Sequence, residues 1–128
     1  MKKILIVTAN YYKDISLGLL NSAKKNLPRN FNIKIIKVPG VFEIPVTISK
    51  HLKKFDAFIA LGCVIKGQTP HFDFISQSST NAIMYLTINS KKPIGNGILT
   101  CLNMKQAKAR KKKGAEAAKA VISVLSQK

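Results

Sequence analysis

The chain predicts an α/β fold: one four-stranded parallel sheet covered by helices on both faces. Three observations carry this expectation. Short apolar runs alternate with segments of helical periodicity in the order βαβαβαβα, a succession that calls for a parallel sheet with right-handed crossovers. The first run, Ile4-Leu5-Ile6-Val7-Thr8, is uninterrupted, as a strand buried on both faces requires. A length of 128 residues with 46% apolar content makes one domain, 1–128, that can bury a core without disulfide or metal support.

Each element has its own signal. After the first strand, Asp14-Ile15-Ser16 opens a helix in which Ile15, Leu19, Leu20, Ala23 and Leu27 recur at helical spacing, ending at Pro28. Asn32 to Val38 reads as the second strand, stopped by the turn signal Pro39-Gly40. Glu43 to Lys54 reads as a second helix with Pro45 in its first turn, where a missing N–H costs little. Asp56 to Gly62 is the third strand, after which Gly62 and Gly67 are expected to turn the chain into a third helix, Phe72 to Ile88. Pro93 to Thr100 contains the fourth strand, and Met104 to Gln127 reads as one long Ala- and Lys-rich helix.

Composition narrows the function classes. No stretch approaches the roughly 18 apolar residues of a membrane span. Lys2-Lys3 followed by Ile4 to Thr8 is too short for the apolar core of a signal peptide, so a cytoplasmic protein is expected. Cys63 and Cys101 lie far apart with no nearby His, which suits small core residues rather than zinc ligands or a disulfide. The net charge of +17, from 22 Lys and Arg against five acids, raises nucleic acid as a partner. The positives are nevertheless spread along the chain, and 20 of the 22 are Lys. A general lysine bias or a taste for anionic substrates accounts for them equally, and nucleic-acid binding is not expected as a main function.

In a parallel sheet, ligands bind outside the carboxyl ends of the strands, so the strand-to-helix junctions carry the chemistry. At the first, Tyr11 offers a planar face to a heteroaromatic ring, although one of Tyr11 and Tyr12 also suits a core cap. At the second, Glu43 suits either a helix start or a hydrogen bond to a polyol, with Phe42 packed on its carbons. The third, Leu61 to Asp73, enters a helix after Gly67, where free N–H groups await an anion and Thr69 can cap and ligate at once. His71 there is placed to shuttle protons or simply to face water; the residues alone leave both readings open. At the fourth, Arg110 can hold a phosphate bidentately or belong to the solvated run Arg110 to Lys113. His51 lies among lysines on what reads as an exposed helix face.

Taken in order, VPGVFEIP at 38–45, LGCVIKGQTPHFD at 61–73, GILT at 97–100 and QAKAR at 106–110 resemble the lumazine synthase family across nearly the whole chain. The resemblance implies a flavodoxin-like fold assembled into homopentamers, sometimes into larger hollow shells, with no metal and no organic cofactor. It implies condensation of 5-amino-6-(D-ribitylamino)uracil with 3,4-dihydroxy-2-butanone 4-phosphate in riboflavin biosynthesis. Residue by residue, it puts Tyr11 on the pyrimidine, Val41, Phe42 and Glu43 on the ribityl chain, and Cys63, Val64 and Ile65 along the pyrimidine pocket. Gln68 and Thr69 match the phosphate turn, His71 the proton-transfer residue, and Arg110 a phosphate ligand supplied by the neighbouring subunit. Asn96 matches a position over the ring, also from the neighbour. Riboflavin synthase is a further partner that the resemblance suggests.

The chain departs from the family pattern in a few places. Tyr12 replaces an Asn, Asn96 stands where an aromatic or aliphatic side chain is common, and only Lys111, Lys112 and Lys113 separate Arg110 from Gly114. Two rival readings are a flavin-type binding module without catalysis and a basic nucleic-acid-binding protein. The first leaves His71, Thr69 and Arg110 without a joint purpose, and the second gives no reason for VPGVFEIP.

Overall fold

A computed structural model describes residues 1–127. Strands β1 (Lys3–Ala9), β2 (Asn32–Val38), β3 (Ala57–Ile65) and β4 (Ile94–Cys101) form one sheet in the order β2-β1-β3-β4, every pair parallel. Helices α1 (Lys13–Lys25), α2 (Ile44–Lys50), α3 (His71–Ser90), α4 (Met104–Ala109) and α5 (Lys113–Leu125) complete the chain, with a 3-10 turn at Val41–Glu43 leading into α2. This is the three-layer sandwich that the sequence predicts.

The two faces of the sheet explain the apolar runs. Ile4, Ile6, Ile59, Leu61 and Leu99 pack against Ile15, Leu19 and Ala23 of α1 and Ala118 and Val121 of α5. Leu5, Val7, Phe58, Ala60 and Ile98 pack against Ile44 and Ile48 of α2 and Ile83 of α3. Because successive side chains of β1 and β3 reach opposite cores, both strands are apolar at nearly every position.

Four expectations need correction. Strand β3 runs three residues past Gly62, to Ile65, and Gly62 is no turn. A Cβ at Gly62 would fall 2.8 Å from Val41 Cγ2 and 3.0 Å from the Ala9 Cβ, so glycine stands there to let those residues close over the strand. The helix expected over Glu43 to Lys54 is shorter, since α2 stops at Lys50 and turns follow. The single helix expected from Met104 to Gln127 is two helices, broken over Arg110, Lys111 and Lys112. The break redirects the chain so that Gly114 can lie against α1, and four consecutive cations add like-charge repulsion at that point. His51 is half-buried rather than exposed, and its Nδ1 lies 2.8 Å from the Thr47 carbonyl oxygen.

Candidate functional site

The chain order reverses direction between β1 and β3, and a cleft opens at their carboxyl ends, where open α/β sheets bind ligands. The cavity is about 550 Å³, within the range of small-molecule sites. Of the residues singled out in the sequence, Tyr11, Val41, Phe42, Glu43, Cys63, Val64, Ile65, Thr69 and His71 line it together.

Each wall follows from local structure. β1 delivers Tyr11, which is 75% exposed, and Tyr12, which is half-buried against the α1 core; their rings meet edge to face at 4.9 Å. Burial, then the neighbouring Tyr11 and Cys63, raise the Tyr12 hydroxyl above the ordinary tyrosine pKa. After β2, Gly40 donates its N–H to Glu43 Oε1 at 2.9 Å, which fixes the carboxylate at the cleft rim and leaves Oε2 free of that bond. Phe42 beside it is 67% exposed, an apolar ring awaiting cover.

β3 supplies the floor. Burial first, then the charge and hydrogen-bonding interactions with Cys101, push the Cys63 thiol up to about 12, so it is a neutral wall rather than a nucleophile. Both cysteines are buried and unpaired by disulfide. At the mouth, Thr69 Oγ1 accepts a long 3.4 Å hydrogen bond from the His71 N–H at the start of the 20-residue helix α3. Thus a helix N-terminus, with its partial positive charge, faces the same cleft as His71.

Three singled-out residues lie elsewhere in this chain. Gln68 is exposed and does not line the cleft. Asn96, on edge strand β4, turns its Oδ1 back to the N–H of Ile98 at 3.0 Å. Arg110 lines a second hollow of about 430 Å³ beside β4, with Thr100, Lys112 and Lys113. The two hollows share no lining residue. Tyr12, Gly40 and Gly67, read in the sequence as a core cap or as turn residues, also line the cleft, as do Phe72 and Ile75, which the sequence did not single out for the site. The helical spacing of Phe72 and Ile75 was a usable signal for one shared face. Among the described residues, no group of three or more His, Cys, Asp or Glu is placed to hold a metal ion, and no helix is long and apolar enough to cross a membrane.

The family model for 6,7-dimethyl-8-ribityllumazine synthase matches residues 1–128. The chain belongs to the 6,7-dimethyl-8-ribityllumazine synthase family. Relatives bearing that enzyme name include one from Rhodopseudomonas palustris (strain BisA53), 40% identical over 96% of this chain and 83% of its own length. One from Agrobacterium fabrum is 41% identical over 98% of this chain and 93% of its own, and one from Bartonella bacilliformis is 45% identical over 87% and 76%. Membership makes the cleft of Tyr11, Glu43 and His71 the candidate active site of a synthase in this family.

Proposed function

We propose that the chain catalyses lumazine formation in the cytoplasm, in an oligomer whose active sites are each completed by a neighbouring subunit. The amine of the ribitylamino-pyrimidine attacks the ketone of the butanone phosphate, and loss of one water gives an imine. Phosphate then leaves, the enol tautomerises, and ring closure releases a second water. The reactive groups belong to the substrates, so orientation supplies much of the acceleration. Tyr11 stacks on the pyrimidine, and Cys63, Val64 and Ile65 line its edge. Val41, Phe42 and Glu43 hold the ribityl chain, with the free Glu43 oxygen accepting from a hydroxyl. Thr69 and the free N–H groups at the start of α3 take the phosphate, with Gln68 in the same turn but outside the cleft of the free chain, and His71 relays protons.

The observation that carries the reading is the grouping of Tyr11, Glu43, Thr69 and His71 in one cleft while Arg110 stands in another. Arg110 and Asn96, both at the open β4 edge, complete the cleft of the next subunit. Support for assembly comes from α3. Its outward stripe Phe74, Met84, Tyr85 and Ile88 is 57–68% exposed, and Asp73 is its one Asp, Glu, Lys or Arg. A homopentamer, alone or within a larger shell, covers such stripes. Riboflavin synthase, which uses the product, is a fitting partner.

The test mixes two variants. His71→Ala and Arg110→Ala are each expected to form little lumazine from the two substrates. Dissociated, mixed and reassembled, they should regain activity, because some sites then pair an intact His71 with an intact Arg110. An Arg110→Ala protein with wild-type kinetics for the butanone phosphate would remove the shared site.

A further inference from the structure

The β1–α1 junction holds an arrangement that the family pattern does not explain. Tyr11 and Tyr12 are adjacent, yet their surroundings differ sharply. Tyr12 occupies the N-cap position of α1, and its ring packs against the core cluster that includes Ile15, Leu19 and Cys63. Tyr11 is 75% exposed, and its one aromatic neighbour within stacking range is Tyr12. The rings cross at 82° with centroids 4.9 Å apart, at the close end of the favourable edge-to-face range. An isolated exposed ring would sample several staggered rotamers and would lose that freedom on stacking. An anchored ring set edge-on against it removes part of this cost in advance.

We propose that Tyr12 is a positioning residue: its anchored ring holds the exposed Tyr11 over the cleft, ready to stack on the heteroaromatic ring. This rests on the reading of the cleft as the pyrimidine site. Where the family pattern places an asparagine to make a polar contact, this chain has a second ring that acts through the first.

The chain offers a direct spectroscopic readout, since it has three tyrosines and no tryptophan. The third, Tyr85, lies on the outer face of α3, apart from the pair, so a Tyr85→Phe background leaves the close pair as the source of the tyrosine band in near-ultraviolet circular dichroism. Tyr12→Leu should lose most of that band in the unliganded protein. Its Kd for 6,7-dimethyl-8-ribityllumazine, followed by the fluorescence of that compound, should rise about two- to tenfold, the worth of one aromatic edge contact. Tyr12→Phe keeps the ring and should recover the Kd, though not the tyrosine band because its phenol is gone, and this guards against misfolding of the leucine variant. In a Tyr11→Leu background, Tyr12→Leu should change the Kd no further, because the ring it positions is gone.

Several results would overturn the proposal. One is an unchanged Kd in Tyr12→Leu; another is an equal Kd change with and without Tyr11, the mark of a merely structural role. A third is a Tyr12→Phe variant whose Kd is as impaired as that of the leucine one. A wild-type protein that binds lumazine but forms none would sink the catalytic reading alone. One that neither forms nor binds lumazine would sink the pyrimidine site and the positioning role together.

Discussion

Replacing Gly114 by alanine tests how tightly the fold is drawn together behind the site. Gly114 lies in the first turn of α5, directly over α1. A Cβ built there falls 2.1 Å from the Leu19 carbonyl oxygen, 3.0 Å from its carbon and 3.1 Å from the Ala23 nitrogen. An ordinary carbon–oxygen contact is about 3.3–3.6 Å, so the backbones of α1 and α5 must separate by roughly an ångström. These are main-chain atoms and no rotamer change relieves them. Alanine gains about 1 kcal/mol in helix propensity, while forced overpacking costs about 1–3 kcal/mol, near the upper end when backbone moves. A net loss of about 2 kcal/mol follows. With about 2.1 cal/mol/K of unfolding entropy per residue over 128 residues, that is a fall of roughly 7 °C in Tm. Differential scanning calorimetry at one fixed protein concentration measures it, because assembly makes Tm concentration-dependent. The shift also passes into Arg110–Lys112, which precedes α5, so KM for the butanone phosphate should rise several-fold. An unchanged or higher Tm would refute the close approach of the two helices.

Two further predictions concern the cleft itself. Glu43→Gln keeps an acceptor for the Gly40 N–H but removes the charge that the proposed site offers to a ribityl hydroxyl. KM for the pyrimidine should rise about five- to tenfold, on the order of 1 kcal/mol, and steady-state kinetics with each substrate varied in turn would expose an effect confined to the wrong one. The folded state holds the Cys63 proton up to about 12, above its ordinary value of 9.0. Its contribution to stability is therefore whole below pH 9 and is lost as pH rises from 9 towards 12, because the unfolded chain gives up the proton first. Urea unfolding across that window should show a pH slope that Cys63→Ala reduces, and identical slopes would contradict the burial of the thiol.

Much of the fold was legible in the residues, because strands buried on both faces leave an unmistakable apolar run. β2 runs from Asn32 to Val38 as read, since Pro39-Gly40 can only stop it. What escaped was decided by distant packing. Gly62 looks like a turn residue, and only the approach of Val41 and Ala9 shows why a strand interior needs it. The Ala- and Lys-rich C-terminal segment has high helix propensity, weakened locally by four consecutive cations and Gly114, and only the packing of Gly114 on α1 shows why the break falls over Arg110–Lys112. One missed signal was local: Asn103 Oδ1 caps α4 by accepting from the Gln106 N–H at 2.9 Å. The candidate site divides the same way. Residues on adjacent junctions, from Tyr11 to His71, assemble by topology, whereas Arg110 stands in a separate hollow, placed there by the direction of a helix break.

The charge and the proposed assembly pull against each other, and salt should reveal the balance. Each chain carries +17, and one ion pair forms among the described residues, Lys113 with Glu116 at 4.0 Å. That pair is solvent-exposed and contributes little. Gathering several such chains brings their like net charges together. The opposing attraction comes from the α3 stripe, whose four large apolar side chains gain roughly 1.5–3 kcal/mol each if fully covered. Repulsion reaches about 30 Å at 0.01 M salt but about 8 Å at 0.15 M, while apolar burial is not screened at all. The oligomer should therefore be weakest in dilute buffer and tighten as moderate salt is added, read by sedimentation velocity at constant protein concentration. An interface held by complementary charges behaves the opposite way. Dissociation on adding salt would mean that the lysines find partners across the interface, and that the α3 stripe is not what draws the subunits together.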